Sequence, residues 1–138
     1  MRRSITLTVA LALALGGLAL GDHALGAATP PPLKKVAITS FSACANGYFC
    51  FKPAAVTVKK GTKVVWTNNT TVSHTVTRCS PGACNGANGG TGKQTKLASP
   101  MIAPHKTYAF TFTKPGKYFY ECTIHAMMPS MHAKVIVK

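Results

Sequence analysis

A thiol, an imidazole and a thioether lie close together near the end of this 138-residue sequence. Cys122 is followed by His125 and then by Met131, with Pro129 in the connecting segment. Such soft and borderline ligands favour copper, and two imidazoles, one thiolate and a weak axial thioether form an electron-transfer copper site. The second imidazole has to come from elsewhere, and His74, 48 residues before Cys122, is the candidate. We therefore predict one copper ion bound by His74, Cys122, His125 and Met131.

The same cysteine and histidine could instead act as a catalytic nucleophile and its base. That arrangement needs a third group to orient the base, and Glu121 is the only acidic residue after the first 28 positions. Strand alternation directs Glu121 away from Cys122, so we predict no catalytic residues and no enzyme. His105 lies in an expected turn and His132 alternates away from the neighbouring methionine, so neither is predicted to bind the metal.

The first 28 residues have the pattern of a secretory signal sequence. A basic start precedes a mostly apolar stretch at 5–20, and small residues follow at 24–28. The apolar stretch is short for a membrane span, and an uncleaved anchor is the alternative. We expect cleavage after Gly26 or Ala28 and export of the remainder to the periplasm, the cell surface or the medium.

The number of cysteines is odd: Cys44, Cys50, Cys79, Cys84 and Cys122. Disulfides form and persist in exported proteins. Four cysteines allow three pairings, and we prefer the local pairs Cys44–Cys50 and Cys79–Cys84 because each closes a small loop within a plausible turn. Cys122 is then left over as an inert buried thiol or a ligand, and the nearby histidine and methionine favour the ligand.

The rest of the chain reads as strands. After a proline-rich leader at 29–35, residues 36–138 are long enough for one domain with a core of its own. Short alternating segments between turn signals indicate strands, which we place at 36–39, 55–58, 63–68, 73–77, 107–112, 117–122 and 134–137. No window shows sustained helical spacing, so the pattern predicts an all-β sandwich. The expected core residues are Val64, Trp66, Phe110, Phe112, Phe119 and Ile136. A glycine-rich stretch at 78–94 is predicted to be a surface loop.

The residues around the predicted ligands resemble those of the cupredoxins, in particular the plastocyanin and amicyanin types. The likeness runs from about residue 48 to residue 138 and rests on His74 together with the later Cys-x2-His-x5-Met spacing. It includes the Phe-x-Pro-Ala-Ala-Val opening of segment 51–61 and the Val-Val-Trp-Thr-Asn strand at 64–68. The resemblance implies a Greek-key sandwich of about seven to eight strands, one type 1 copper, and transfer of single electrons between redox partners.

Two features depart from the family pattern. Five residues separate His125 from Met131, a longer interval than is usual, and Met128 matches the shorter amicyanin-like loop. Met131 resembles the methionine that precedes the family's last strand, so it is the preferred axial ligand and Met128 is the alternative. Thr75 stands where many members have an asparagine whose side chain ties the two ligand loops together, which leaves open how the loops are tied here.

The chain is strongly basic. Residues 27–138 contain 14 Lys and Arg and one acidic residue, which gives a net charge of +13. Such a field governs association rather than the fold. Export argues against nucleic acid. We expect a monomer whose counterpart is an acidic redox partner protein or an anionic membrane or cell-wall surface. A lysine coat that only maintains solubility is the alternative.

Two other functions fit parts of the sequence. Three methionines, Met127, Met128 and Met131, would suit capture of Cu(I) and so predict an extracytoplasmic copper carrier or buffer without an electron-transfer role. A metal-free, basic adhesion sandwich with an inert Cys122 is the third possibility. Reversible reduction separates the electron carrier from the copper buffer, and copper affinity separates both from the adhesion domain.

Overall fold

The computed structural model describes residues 29–45, 48–84 and 97–138. The predicted signal sequence and residues 85–94 of the predicted loop lie outside the described residues. The described chain contains eight strands: β1 (Leu33–Ser40), β2 (Phe49–Lys52), β3 (Ala55–Val58), β4 (Lys63–Asn68), β5 (Thr77–Arg78), β6 (Thr107–Thr111), β7 (Gly116–Glu121) and β8 (His132–Val137). Short 3₁₀ turns cover Phe41–Ala43, Thr123–His125 and Pro129–Met131. Within these ranges no helix is long and apolar enough to cross a membrane.

The strands form two four-stranded sheets with the orders β2-β1-β4-β6 and β3-β8-β7-β5. The pairs β1–β4 and β3–β8 are parallel, and the other pairs are antiparallel. Tyr120 of the second sheet packs edge-on against Trp66 and Phe51 of the first, with ring centroids 5.4 and 4.9 Å apart. Such contacts join the two sheets through one core. The predicted all-β sandwich is therefore confirmed.

Alternation along β7 and β8 moves two predicted core residues to the other face. Tyr118 and Tyr120 of β7 are buried, and the register pairs Tyr118 with the buried Val135 of β8. Phe119 and Ile136 therefore face away from the core and are only half-buried. Their assignment to the core is wrong because large apolar residues occupy both faces of these strands, so that residue type does not reveal which face is inside.

Three strand boundaries also differ from the prediction. β1 begins at Leu33, inside the predicted leader, because its parallel pairing with β4 starts there. β2 was not predicted, and it pairs with the second half of β1. The strand predicted at 73–77 is reduced to a bridge between His74 and Ile102 and to the two residues of β5, because the chain bends at 70–72.

Both predicted disulfides are confirmed, Cys44–Cys50 and Cys79–Cys84. The first links the turn after β1 to β2, and the second closes the segment that follows β5. Cys122 retains a free thiol, and this thiol is buried.

One end of the sandwich gathers the predicted ligands. β4 ends at Asn68, and the segment after it carries His74. β7 ends at Glu121 and its antiparallel neighbour β8 begins at His132, so residues 122–131 form the connection between them. The paired strands therefore hold both ends of the segment that contains Cys122, while the other sheet delivers His74.

Candidate metal centre

His74 is held in place by its backbone and by both ring nitrogens. Its N–H donates to the Ile102 carbonyl (3.1 Å), and its own carbonyl accepts from Ile102 N–H (2.8 Å). The side chain is fully buried. Nδ1 lies 3.7 Å from Cys122 Sγ, and Nε2 lies 2.9 Å from the hydroxyl oxygen of Thr70. The imidazole thus has a protein neighbour at each nitrogen.

The segment between β7 and β8 is closed by a ring of backbone hydrogen bonds. His125 N–H donates to the Cys122 carbonyl (3.0 Å), and Met128 N–H donates to the His125 carbonyl (2.9 Å). Met131 N–H then donates to the Met128 carbonyl (2.9 Å), and its own carbonyl accepts from Cys122 N–H (3.1 Å). Two three-residue steps therefore accommodate the long interval between His125 and Met131.

Three of the predicted ligands converge. Cys122 Sγ lies 3.4 Å from His125 Nδ1 and 3.7 Å from His74 Nδ1. The sulfur and one nitrogen of each imidazole lie within 4.8 Å of one another. Cys122 and His74 are fully buried, whereas His125 is half-buried. One metal ion can bridge donors at these separations, and two imidazoles with one thiolate are a set that suits copper.

Met131 lies opposite Cys122 where the chain enters β8. The β7–β8 register pairs Glu121 with His132, and the hydrogen bond from Cys122 N–H to the Met131 carbonyl continues it by one position. Side chains that oppose each other in an antiparallel pair point to the same face. The Met131 side chain is fully buried, whereas Met128 is half-buried against the edge of the core.

Thr75 ties the His74 segment to the Cys122 segment. Its N–H donates to Cys122 Sγ (3.3 Å), and its Oγ1 accepts from Thr123 N–H (2.9 Å) and lies 3.0 Å from the Thr123 hydroxyl oxygen. A donor aimed at the sulfur stabilises the negative charge of a thiolate. The tie that the sequence left open is therefore made by a threonine rather than by an asparagine.

Phe49 is part of the site, although the sequence did not indicate it. Its ring centroid lies 4.9 Å from that of His74 and 4.9 Å from that of His125. The Ser130 hydroxyl donates to the Phe49 carbonyl (2.6 Å) and so links the ligand segment to β2. The available signal was the Phe49-Cys50-Phe51 alternation beside a disulfide, which is typical of a half-buried strand.

The remaining titratable residues near this end have other contacts. His105 is exposed in a turn with φ of 61°, which agrees with its predicted place. His132 Nε2 lies 2.7 Å from the Ala126 carbonyl oxygen and 3.9 Å from the Glu121 carboxylate. Glu121 is fully buried, which its position in the sequence did not indicate. By strand alternation it points away from Cys122.

Comparison with known proteins identifies the family. A family model described as copper-binding proteins of the plastocyanin/azurin family matches residues 39–138. The chain belongs to this plastocyanin/azurin family. The resemblance to cupredoxins inferred from the ligand spacing is confirmed. Copper is accordingly the metal of the family, and the histidine–cysteine–histidine group is the place in this member where such an ion fits.

Individual relatives agree with this assignment. Amicyanin-alpha of Methylorubrum extorquens is 34% identical over 88 residues, 64% of this chain and 64% of that protein. The chloroplastic plastocyanin of Tetradesmus obliquus is 32% identical over 93 residues, 67% of this chain and 61% of that protein. The match thus spans less than two thirds of either relative. A purple cupredoxin from Nitrosopumilus maritimus superposes with a TM-score of 0.59 over 76% of this chain and 99% of that one, and its 22% identity shows the fold alone.

Burial sets the charge state of the two imidazoles in this family member. Desolvation, followed by the charge of nearby His125, lowers the pKa of His74 from 6.5 to about 4. Desolvation also lowers the pKa of His125. A neutral imidazole has the free lone pair that a metal requires. Both rings are therefore neutral at neutral pH, and each has one ring nitrogen with a free lone pair.

We predict that the metal-free protein loses stability as the pH falls from 6.5 towards 4. The unfolded chain takes up a proton at His74 near the ordinary pKa of 6.5, whereas the folded chain does so only near 4. The unfolded state binds more protons in this window, so the free energy of unfolding falls by up to roughly 3 kcal/mol from this residue. Chemical denaturation across the window measures it.

The controls are two glutamine variants. His74→Gln should remove most of this pH dependence, because the glutamine does not titrate. His105→Gln, at an exposed position, should retain it. A His74→Gln variant with the wild-type dependence on pH would show that the burial of His74 does not control its protonation.

Proposed function

We propose that this chain is an exported electron carrier that holds one copper ion through His74, Cys122, His125 and Met131. The observation that supports the proposal most strongly is the convergence of a buried thiol and two imidazole nitrogens within 4.8 Å in a chain of a copper-binding family. A copper ion bound there supplies a single-electron exchange between Cu(II) and Cu(I). The chain needs no catalytic residue for this role.

Three side chains would hold the copper ion at the proposed site. Cys122 supplies the thiolate, and His74 and His125 each supply Nδ1, the ring nitrogen nearer to the sulfur. The β7–β8 pairing and the Thr75 hydrogen bonds hold these groups from separate segments. Ligands restrained in this way move little when the charge of the metal changes, and small movements favour fast electron transfer.

Met131 is the proposed axial ligand. It is fully buried on the inner face beside Cys122, and its backbone is bonded to that of Cys122. Met128 is half-buried one step earlier in the ring of backbone hydrogen bonds. A thioether at the axial position tunes the potential of a copper ion in a plane of two histidines and one cysteine.

His125 is the proposed port for electrons. It is half-buried, and it lies between two exposed apolar side chains, Ile124 at 50% exposure and Met127 at 87%. An apolar, adaptable rim suits brief contact with a redox partner protein. In the described residues the only acidic side chain, Glu121, is buried, so the accessible charges are lysines and arginine and an acidic partner is expected for this monomer.

Export completes the proposal. Residues 1–28 are proposed to direct the chain out of the cytoplasm and to be removed, and the basic surface could then also contact anionic membranes or cell-wall polymers. An oxidising compartment agrees with the disulfides Cys44–Cys50 and Cys79–Cys84. The chain would work there as a soluble intermediary between a donor and an acceptor of single electrons.

We predict that Cu(II) added to the metal-free protein produces an intense visible band from thiolate-to-copper charge transfer. Cys122→Ser should lose the band completely, because a hydroxyl offers no thiolate, while Met101→Leu, at an exposed position, should keep it. Absorption spectroscopy measures the band, and circular dichroism checks the fold. A Cys122→Ser variant that keeps the band would exclude the proposed site.

The same copper-loaded protein can distinguish an electron carrier from a copper buffer. The exposed Met127 favours the copper buffer. Repeated reduction and reoxidation by voltammetry should return the full current with the copper still bound. Loss of copper at each reduction would support the buffer instead.

We predict that Met131→Leu raises the reduction potential and changes the optical spectrum, because leucine removes the axial donor. Met128→Leu is the matched control and should leave both unchanged. Voltammetry and absorption spectroscopy of the two copper-loaded variants make the comparison. If only Met128→Leu changes them, the axial ligand is Met128 and the loop closes in the shorter, amicyanin-like way.

A further inference from the structure

His74 belongs to a buried hydrogen-bond chain that continues beyond the metal centre. Its Nε2 lies 2.9 Å from Thr70 Oγ1, and Thr70 Oγ1 lies 2.8 Å from Asn68 Oδ1. The exposed fractions of His74 and Asn68 are 0%, and that of Thr70 is 3%. Hydrogen bonds shielded from water in this way are costly to leave unmade. The chain Asn68–Thr70–His74 therefore has a strongly preferred arrangement of protons.

The orientation of Asn68 is set by its neighbours. Its Nδ2 donates to the carbonyl oxygens of Val72 (2.8 Å) and Ile102 (2.9 Å), neither of which can donate in return. Its Oδ1 accepts from Thr70 N–H (3.0 Å). A flipped amide would place oxygen against two carbonyl oxygens and NH₂ against an N–H. The amide oxygen of Asn68 must therefore face Thr70.

That orientation decides where the single hydroxyl proton of Thr70 points. Two oxygens lie close to it, Asn68 Oδ1 at 2.8 Å and the Val72 carbonyl at 3.1 Å, and neither carries a proton. A proton directed at His74 Nε2 would leave both oxygens against the lone pairs of Oγ1. A proton directed at Asn68 Oδ1, the nearer oxygen, or at the Val72 carbonyl leaves the lone pairs of Oγ1 free to accept from His74 Nε2–H and from Val72 N–H (3.3 Å).

We propose that Thr70, oriented by Asn68, is a positioning residue that keeps the proton of His74 on Nε2 and so leaves the Nδ1 lone pair facing Cys122. A histidine that binds metal through one nitrogen commonly donates its other N–H to a protein acceptor, which fixes the tautomer and the ring orientation. Here that acceptor is a hydroxyl that is itself polarised by an amide. The tautomer and the orientation of the His74 ring are then suited to metal binding in the metal-free protein.

This inference deepens the proposed function and rests on His74 being a ligand, but it also makes a claim about the metal-free protein. His125, the other proposed imidazole ligand, is half-buried. Its Nδ1 lies near Cys122 Sγ, and its ring makes tilted contacts with the rings of Phe49 and His74. The two histidines would therefore differ in role, His74 being fixed by the fold and His125 facing the partner.

The direct test is the tautomer of His74 in the isotope-labelled, metal-free wild-type protein. Long-range proton–nitrogen correlation spectra at neutral pH should show the proton of His74 on Nε2. A proton on Nδ1 would overturn the proposal, whether or not the protein binds copper. An Nε2 proton in a protein without copper affinity would instead refute the proposed function and leave the role of Thr70 standing.

Three variants test whether the hydroxyl is the cause. Thr70→Val keeps the shape and removes the hydroxyl, so its spectra should show a mixture of tautomers and its Cu(II) affinity should fall about 10- to 100-fold. Thr70→Ser restores the hydroxyl and should regain the Nε2 tautomer and most of the affinity. Thr62→Val removes another buried threonine hydroxyl, next to β4 at the far end of that strand, and should change neither property.

Affinity is measured by competition with a chelator of known strength, and circular dichroism reports the fold. If Thr70→Val does not fold, the wild-type tautomer and the Thr70→Ser variant still decide the question. A folded Thr70→Val protein with the wild-type tautomer and affinity would overturn the proposal. So would a Thr62→Val variant with the same losses, because the effect would then come from the loss of any buried hydroxyl.

Discussion

The antiparallel pairing of β7 with β8 is the constraint on which the metal centre depends. It places the backbone of Cys122 opposite that of Met131, with a hydrogen bond of 3.1 Å between them. The intervening residues follow as three three-residue steps, and the first of these brings His125 Nδ1 to 3.4 Å from the sulfur. A slip of one residue in this register would turn Cys122 and Met131 to opposite faces. The β7–β8 pairing therefore fixes the positions of the site residues and also forms part of the core.

The second constraint is that polar groups buried at this end must satisfy one another. Asn68 is hydrogen-bonded to Ile102 at the bend after β4, and the Thr70 hydroxyl lies within hydrogen-bond distance of His74 Nε2. Thr75 bonds to Thr123 and to the sulfur of Cys122. Because few of these groups reach water, each needs its protein partner. Their combined effect is to hold the His74 imidazole and the Cys122 thiol in place through the fold itself.

The sequence predicted the parts of this account that short-range spacing controls. Cys122, His125 and Met131 lie within one turn between strands, and the disulfide partners lie five and six residues apart. The unpredicted parts depend on how distant segments meet or on where the chain bends. Phe49 reaches both histidines only because β2 lies at the edge of the first sheet, and Thr70 contacts His74 only because the chain bends between them. Phe119 and Ile136 were assigned to the wrong face for the same reason. When large apolar residues stand on both faces of a strand, its pairing with other strands decides which face lies in the core.

The fold assembles the proposed copper ligands before the metal binds. Crystal structures of the metal-free and copper-loaded protein test this most directly. We expect one copper ion between Cys122 Sγ and the Nδ1 atoms of His74 and His125, with Met131 beside it and each of these atoms displaced by less than about 0.5 Å. Copper bound elsewhere, or ligand side chains that change rotamer when it binds, would contradict the account.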